Sequence, residues 1–426
     1  MSNLNGFNPF NGITSIGIII TVISIALTIA SFVSVVQPGY SISNKIISNS
    51  SNAANNINRT LSVQAYDKLK NCAPDQHTPT NGITYLTHFS CGHVTALKNG
   101  TTLRQFTLIA KENVVLPISN TGLTFSAWTY NNSIPGPTMR MTEGDHIQLL
   151  FINSKDSKHD HSIHMHSIHA GSMDGMMGPA GDVAPGKSFT YTFTAAPFGV
   201  YPYHCHVEPA DEHINQGLYG MMIIDPKVPR PHMTEMVMMM NAYDLNYTKE
   251  GVDRLPTVKE LKTGIPEVHH NNAVYTVNGV AFEYKDHPIH LVTGKSYRIY
   301  LVNMLEFEPL NNFHLHGSLF NYYPSGTSLK PDYKSDIVQL MQGNRGILEF
   351  KFPYAGMFMF HSHQNQLSMK GWVGFFDATK PTETGMKTDT PLATTTTTTD
   401  ISPLTSIPTS IISKPGDTNF PGLEGV

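Results

Sequence analysis

The sequence has few charged residues and no excess of positive charge. Only 14% of its 426 residues are Asp, Glu, Lys or Arg, and the formal net charge is −4. The chain therefore has no basic field that would recruit nucleic acid or an acidic membrane surface. Its length is sufficient for two or three domains. Serine, threonine, asparagine, glycine and proline are abundant, which favours strands and turns over long helices.

The N-terminal region lacks positive charge as well. Residues 13–36 form an uncharged, apolar stretch that is long enough to span a bilayer with some tilt. No Lys or Arg occurs in the preceding segment, 1–12, and no clean small-residue cleavage site follows. We therefore predict an uncleaved single-pass anchor in the cell membrane, with the folded body on the outer face. Glycosylation sequons at Asn58, Asn99 and Asn246 fit an exported body.

Cysteine is so scarce that each one can be considered separately. Two of the three, Cys72 and Cys91, lie close together in a spacer and N-terminal extension, 37–104. In an exported protein this proximity favours a disulfide. Neighbouring histidines leave a small accessory metal site as the alternative.

From about residue 105 the sequence becomes typical of β-structure. Short runs of β-branched and aromatic residues alternate with Gly, Pro and Asn turns. They fall into two sets of roughly 120 residues, and each set suits one β-sandwich. We predict an all-β fold with units at 105–226 and 263–378, joined by a connector, 227–262. The Thr/Ser/Pro-rich tail, 379–426, has too little apolar content to fold and is predicted to be disordered.

The two units carry the same pair of histidine motifs. The first unit contains HSIHMH at 161–166 and HCH at 204–206, and the second contains NNFHLHG at 311–317 and HSH at 361–363. This internal duplication is the strongest organisational signal in the chain.

Four His-x-His pairs result from these motifs. Residues two apart on a strand lie on one face, so each pair presents two imidazoles together. Imidazole binds Cu, Zn, Fe and Ni, and eight imidazoles exceed the capacity of one ion and suit a cluster of about three. A zinc hydrolase would use only a few of them. The predicted cluster ligands are His164, His166, His204, His206, His314, His316, His361 and His363.

Cys205 belongs to a second predicted site on the same strand. The histidines on either side of it would point to the opposite face of that strand. A mononuclear copper electron-transfer site needs two histidines and one thiolate. We predict that His161 and His213 complete this site, with His213 on the loop after the strand. Leu218, which cannot ligate and would raise the reduction potential, falls at the axial position. Met221 or the methionine after it is the alternative axial ligand.

The second unit lacks the residues of the mononuclear site. Asn311 stands at the position that matches His161, and Ser362 stands at the position that matches Cys205. The second unit is therefore predicted to contribute only cluster ligands. In the first unit, a few covalent bonds would join the copper at Cys205 to the cluster.

These motifs resemble those of two-domain multicopper oxidases, which are relatives of laccases and copper nitrite reductases. The resemblance covers about residues 105–378 and includes SIPGPTMRMTEGD at 133–145. It implies two cupredoxin-like Greek-key β-barrels and a homotrimer, in which the cluster lies between the first unit of one subunit and the second unit of the next. It also implies about four coppers per chain, namely one type 1, one type 2 and two type 3.

The resemblance further implies a copper-dependent oxidoreductase. A small reductant or an electron-donor protein would supply single electrons to the type 1 copper at Cys205, and the trinuclear cluster would reduce O2 to water. Asp174 matches an acidic residue near the cluster and is a candidate proton donor. The alternative is an Asp-Gly turn residue.

Two other functions remain open. Copper nitrite reductases share this fold, trimer and mononuclear copper but hold one type 2 copper with three histidines, and His166, His204 and His363 fall at those positions. They typically have aspartate where this chain has His164, so the surplus histidines favour the oxygen-reducing cluster. The second alternative is a non-catalytic copper or electron-transfer protein, which Met-rich stretches such as 172–177 suggest.

The first prediction concerns the thiolate. Cys205→Ser is expected to abolish the strong blue absorption of the copper-loaded protein, because that band requires sulfur coordinated to copper. Visible spectra of the parent and the variant test this. A blue band that persists in the variant would exclude Cys205 as the ligand.

Overall fold

The computed structural model describes most of the two predicted units. The described residues are 82–98, 100–166, 169–245, 272–308 and 310–381, together with Cys72 and Lys262. The predicted anchor at 13–36 and the tail beyond residue 381 lie outside them. Within the described ranges, no helix has the length and apolar character needed to cross a bilayer.

The first unit is built almost entirely from strands. Its elements are α1 (Gly82–Tyr85), β1 (His93–Ala96), β2 (Thr102–Pro117), β3 (Thr124–Tyr130), β4 (Met139–Thr142), β5 (His146–Asn153), β6 (His164–Met165), β7 (Ser188–Thr194), β8 (Gly199–His204), α2 (Ala210–Asn215) and β9 (Tyr219–Asp225). Two 3-10 turns, Gly171–Met173 and Gly178–Ala180, follow β6.

The second unit has the same character. Its elements are β10 (Thr234–Tyr243), β11 (Val274–Val277), α3 (Glu283–Asp286), β12 (Ile289–Val292), β13 (Tyr297–Asn303), β14 (Asn311–Leu315), β15 (Phe320–Pro324), β16 (Tyr333–Ser335), β17 (Ile337–Leu340), β18 (Arg345–Phe350), β19 (Gly356–His361), α4 (Asn365–Ser368) and β20 (Val373–Thr379).

Each unit consists of two sheets. In the first unit the strand orders are β1-β2-β5-β7, with β3 also paired to β2, and β4-β9-β8-β6. In the second unit they are β11-β10-β13-β18-β15-β16 and β12-β20-β19-β14-β17. Strand β5 alternates exposed or half-buried with buried residues, as expected for a sheet with one face on a core. The described structure is thus mostly β, with cupredoxin-like sheets, as the sequence predicted.

One strand pairing recurs in both units and positions the histidines. β6 pairs antiparallel with β8 so that His164 lies opposite His204. β14 pairs antiparallel with β19 so that His314 lies opposite His361. The internal duplication of the sequence is therefore a duplication of strand register.

The boundaries of the units differ from those read from the sequence. The predicted connector, 227–262, contains β10, which pairs with β11 and β13 and has eight successive buried residues in its burial pattern. Such a strand, buried on both faces, reads as a continuous apolar run rather than an alternating one. The extension 37–104 contributes β1, which pairs with β2. The predicted disulfide between Cys72 and Cys91 is confirmed.

A buried network of charges joins the two units. Arg140 of β4 donates to Asp225 at 2.7 and 2.9 Å and to Glu235 of β10 at 2.6 Å. Arg298 of β13 donates to the same Glu235 at 2.7 Å and to Glu349 at 2.8 Å. The arginine side chains are 4% and 0% exposed. Glu235 is thus shared by a guanidinium from each unit.

Glu235→Gln is expected to lower the free energy of unfolding by about 3–5 kcal/mol, because it leaves two buried arginines without their shared carboxylate. Urea unfolding of parent and variant measures this loss. Asp377→Asn is the control, since it breaks an exposed pair with His290 and is expected to cost less than about 1 kcal/mol. Equal, small losses of unfolding free energy in both variants would contradict a large contribution of this network to stability.

Candidate metal centres

His161, Cys205 and His213 come together in the interior of the first unit. The Cys205 Sγ lies 3.1 Å from His213 Nδ1 and 3.9 Å from His161 Nδ1, and the two Nδ1 atoms lie 3.2 Å apart. All three residues are at most 1% exposed. His213 lies in the short helix α2, whereas the sequence had suggested a loop. This trio matches the donor set of a type 1 copper.

Cys205 is held by two hydrogen bonds and surrounded by buried apolar side chains. The backbone amide of Ser162 donates to Sγ at 3.3 Å, and the amide of Cys205 donates to the Leu218 carbonyl at 3.0 Å. Leu218 is fully buried in the same apolar cluster as Cys205. Met221 and Met222 are also fully buried, in two different core clusters.

The electrostatics of this trio favour a thiolate. Burial alone would raise the pKa of Cys205, but the neighbouring His213 and His161 lower it well below its usual value. Burial likewise lowers the pKa of His161, and the contacts with Cys205 and Glu112 more than offset this and raise it to about 9. A bound metal ion would replace the shared protons, since it requires deprotonated ligands.

Two residues beside this trio were missed by the sequence analysis. Trp128 packs its indole against His213 and His161, with ring centroids 4.8 and 5.4 Å away. Glu112 places Oε1 3.1 Å from His161 Nε2. Both lie on strands whose sequence gives no signal for metal chemistry, and only the fold brings them to the site.

The four predicted cluster histidines of the first unit form one group. The centroids of their rings are 5.1–5.8 Å apart for neighbouring pairs. The Nε2 atoms of His166 and His204 approach to 3.1 Å. Cys205 follows His204 directly, yet its sulfur belongs to the other group of donors. The residues of the HCH motif therefore divide between two sites.

The second unit reproduces this group. The rings of His314, His316, His361 and His363 have centroid separations of 4.8–5.8 Å. The Nε2 atoms of His316 and His361 lie 3.2 Å apart. No trio of close ligand atoms within the described ranges combines histidines of both groups.

Backbone carbonyls orient the facing histidines in the same way in both units. His204 Nδ1 donates to the Cys205 carbonyl at 2.9 Å, and His361 Nδ1 donates to the Ser362 carbonyl at 2.7 Å. An imidazole that donates through Nδ1 leaves the Nε2 lone pair free for a metal. Both free Nε2 atoms point at another imidazole of their own group.

An aspartate carbonyl performs this role for the first histidine of each unit. His164 Nδ1 donates to the Asp174 carbonyl at 2.8 Å, and His314 Nδ1 donates to the Asp336 carbonyl at 3.0 Å. The Asp174 carboxylate also lies 3.2 Å from His164 Nδ1 and 3.5 Å from His169 Nε2. Asp174 is therefore beside the first group of histidines. Asp336, its counterpart, was missed because it lies far from any histidine in the sequence.

The donor atoms of the first group fit a metal. Burial is the main cause that lowers the pKa of His166 to about 3 and that of His204 to about 4. Both are neutral near pH 7, the form that binds metal ions. His206 Nδ1 is buried and has no hydrogen-bond partner among the described residues. An unsatisfied buried nitrogen of this kind is costly unless a ligand takes its lone pair.

Two β-sandwich units with paired histidines and one buried thiolate define a copper-binding protein of the cupredoxin class. Models of the multicopper oxidase family match residues 115–229 and 252–381. A solved multicopper oxidase structure is 40% identical, with a TM-score of 0.63, and the match covers 71% of this chain and 98% of that one. The chain belongs to the multicopper oxidase family, and the resemblance read from its motifs is confirmed.

Nitrite reductases are also similar. The copper nitrite reductase structure from Nitrosomonas europaea is 27% identical with a TM-score of 0.56, covering 65% of this chain and 94% of that one. The copper-containing nitrite reductase of Neisseria meningitidis serogroup A is 27% identical over 248 residues, which are 57% of this chain. The match spans 61% of the length of that relative. The family comparisons thus establish a copper oxidoreductase family without separating oxygen from nitrite.

The metal-free protein is expected to lose stability as the pH falls from about 6.5 towards 4. The unfolded chain takes up protons near the ordinary histidine pKa of about 6.5, whereas folded His166 and His204 resist protonation, so the stabilisation is present above that pH and is lost below it. Urea unfolding at several pH values tests this. His166→Gln should flatten the dependence, and the exposed control His290→Gln should not; an unchanged slope in His166→Gln would contradict it.

Proposed function

We propose that the protein is a two-domain multicopper oxidase that takes single electrons from a reductant and reduces O2 to water. One observation carries the proposal: two matching groups of four imidazoles accompany a separate His-Cys-His trio. When bound, one copper at the trio would supply one-electron oxidation and about three at the cluster would supply four-electron reduction of oxygen. The electron donor would be a small reductant or an electron-donor protein.

Cys205 connects the two sites. Its Sγ faces His213 and His161, and the flanking His204 and His206 are joined to it through the backbone. An electron that enters at the sulfur therefore has a path of a few covalent bonds to the cluster imidazoles. The 0% exposure of Cys205 and the packed Trp128 exclude water from the start of this path.

The proposed cluster needs two subunits. Each group of four histidines stays separate within the described chain, and four imidazoles are too few for about three copper ions. Beside His314 and His316, an open cavity of about 710 Å³ is lined in part by Leu319, which is 51% exposed. In the homotrimer that the family resemblance implies, this face would receive the first unit of a neighbouring chain.

Asp174 is the proposed proton donor of oxygen reduction. Its carboxylate lies 3.2 Å from His164 Nδ1, and its side chain is 29% exposed, so it can exchange protons with solvent while it borders the cluster. His169, 3.5 Å away, extends this polar contact.

The proposed membrane anchor at 13–36 and the location on the outer face rest on the sequence alone.

Nitrite reduction to nitric oxide is the second candidate, favoured by the similar reductases. It would use His166, His204 and His363 for one type 2 copper. The first candidate is preferred because His361 also has its Nδ1 bound to a carbonyl and its Nε2 directed at His316, 3.2 Å away, an arrangement that a single type 2 copper would not require. A non-catalytic copper carrier would need neither group.

The test is to load the full chain with copper and to measure copper per chain, oxygen uptake and nitrite consumption with an artificial reductant. We expect about four coppers per chain and oxygen uptake. His361→Ala should abolish oxygen uptake and keep the blue band, which serves as the control for folding of the first unit. About two coppers per chain, with nitrite consumed at the parent rate in His361→Ala, would overturn the proposal in favour of a nitrite reductase.

A further inference from the structure

A buried carboxylate lies behind the mononuclear site, on the side of His161 that faces away from Cys205. It belongs to Glu112, in strand β2, where the pairing with β3 shifts register between Lys111 and Val114. Asn113, within this irregularity, has a left-handed φ of 57°. A bulge of this kind redirects side chains from their regular alternation. The Glu112 side chain is only 2% exposed.

Four contacts of Glu112 with described residues share a single oxygen, Oε1. Oε1 accepts from the backbone amides of Lys158 and His159, both at 2.9 Å. The same Oε1 lies 3.2 Å from His159 Nδ1 and 3.1 Å from His161 Nε2. Backbone N–H groups can only donate, so Oε1 acts as an acceptor here, as the oxygens of an ionised carboxylate do. The group is therefore a carboxylate at neutral pH.

The contact with Glu112 determines which nitrogen of His161 is free. When Nε2–H donates to the carboxylate, Nδ1 carries the lone pair, and Nδ1 is the atom that lies 3.9 Å from the Cys205 Sγ. A carboxylate behind a ligating histidine fixes the tautomer and raises the basicity of the imidazole. A more basic ligand, with a fixed negative charge behind it, favours the more highly charged oxidised metal ion.

We infer that Glu112 is a positioning residue that orients His161 towards the type 1 copper and that its negative charge lowers the reduction potential of that copper. The inference rests on the proposed function, because it requires copper at Cys205. Glu112 would then act against Leu218, the residue predicted at the axial position, which cannot ligate and would raise the potential. Part of the potential of the electron-entry site would therefore come from β2, a strand that carries none of its ligands.

The contact pattern allows charge to be separated from shape. In Glu112→Gln the amide oxygen can take the place of Oε1 and accept the same hydrogen bonds, so only the charge is removed. In Glu112→Ala the negative charge and the hydrogen bonds are both lost. Asp156→Asn is the matched control, because it removes one negative charge from an exposed position in the neighbouring loop.

The experiment is a spectroelectrochemical titration of the blue band in copper-loaded full-length protein, combined with copper competition by a chelator. We expect Glu112→Gln to shift the midpoint potential upwards with unchanged copper content, and Asp156→Asn to keep the parent value. Glu112→Ala should also weaken copper retention at Cys205 by roughly 10- to 100-fold.

Two results would overturn the inference, and they are distinguishable. A parent potential in Glu112→Gln, with the blue band intact, would show that Glu112 only supports the loop at Lys158 and His159, and the proposed function would stand. Absence of a blue band from the copper-loaded parent would overturn the proposed function and this inference together.

Discussion

The antiparallel register that sets His164 opposite His204, and His314 opposite His361, is the constraint on which the metal centres depend. Side chains that are directly opposite on adjacent strands have Cβ atoms about 4.5–5.5 Å apart, so each such pair brings two imidazoles together without any loop having to fold around a metal. A slip of one residue would turn every histidine of a strand to the other face. The large apolar cores on which these strands pack are what prevent such a slip.

The two kinds of site are both buried, yet their electrostatic properties are opposite. In the histidine groups, removal from water keeps the imidazoles neutral, as the low pKa values of His166 and His204 indicate. At Cys205, burial opposes the charged form, but the neighbouring His213 and His161 lower the pKa of the thiol well below its usual value. One motif of three residues can therefore serve both environments, because the strand separates them.

The sequence predicted much of the site because its ligands occur in short motifs with a fixed spacing. His-x-His on a strand specifies a shared face, and the structure places His161, Cys205 and His213 close together. Glu112 could not be predicted, because its direction depends on an irregularity in the pairing of β2 with β3, which the residue pattern does not reveal. The run in β10 was assigned to a connector because a strand buried on both faces has no alternating pattern. Asp336 is recognisable only once β14 and β17 are paired.

Ser362, which stands where the first unit has Cys205, determines how many thiolates each proposed cluster has. It is fully buried, and its carbonyl holds His361 just as the Cys205 carbonyl holds His204. The sulfur is thus not needed to arrange the neighbouring imidazoles. The second unit has the same backbone arrangement at this position but lacks the thiolate that would carry electrons. Under the proposed assembly every cluster is served by one thiolate only. Electrons would then reach each cluster one at a time through this thiolate. The cluster would have to retain each electron until the last one had arrived.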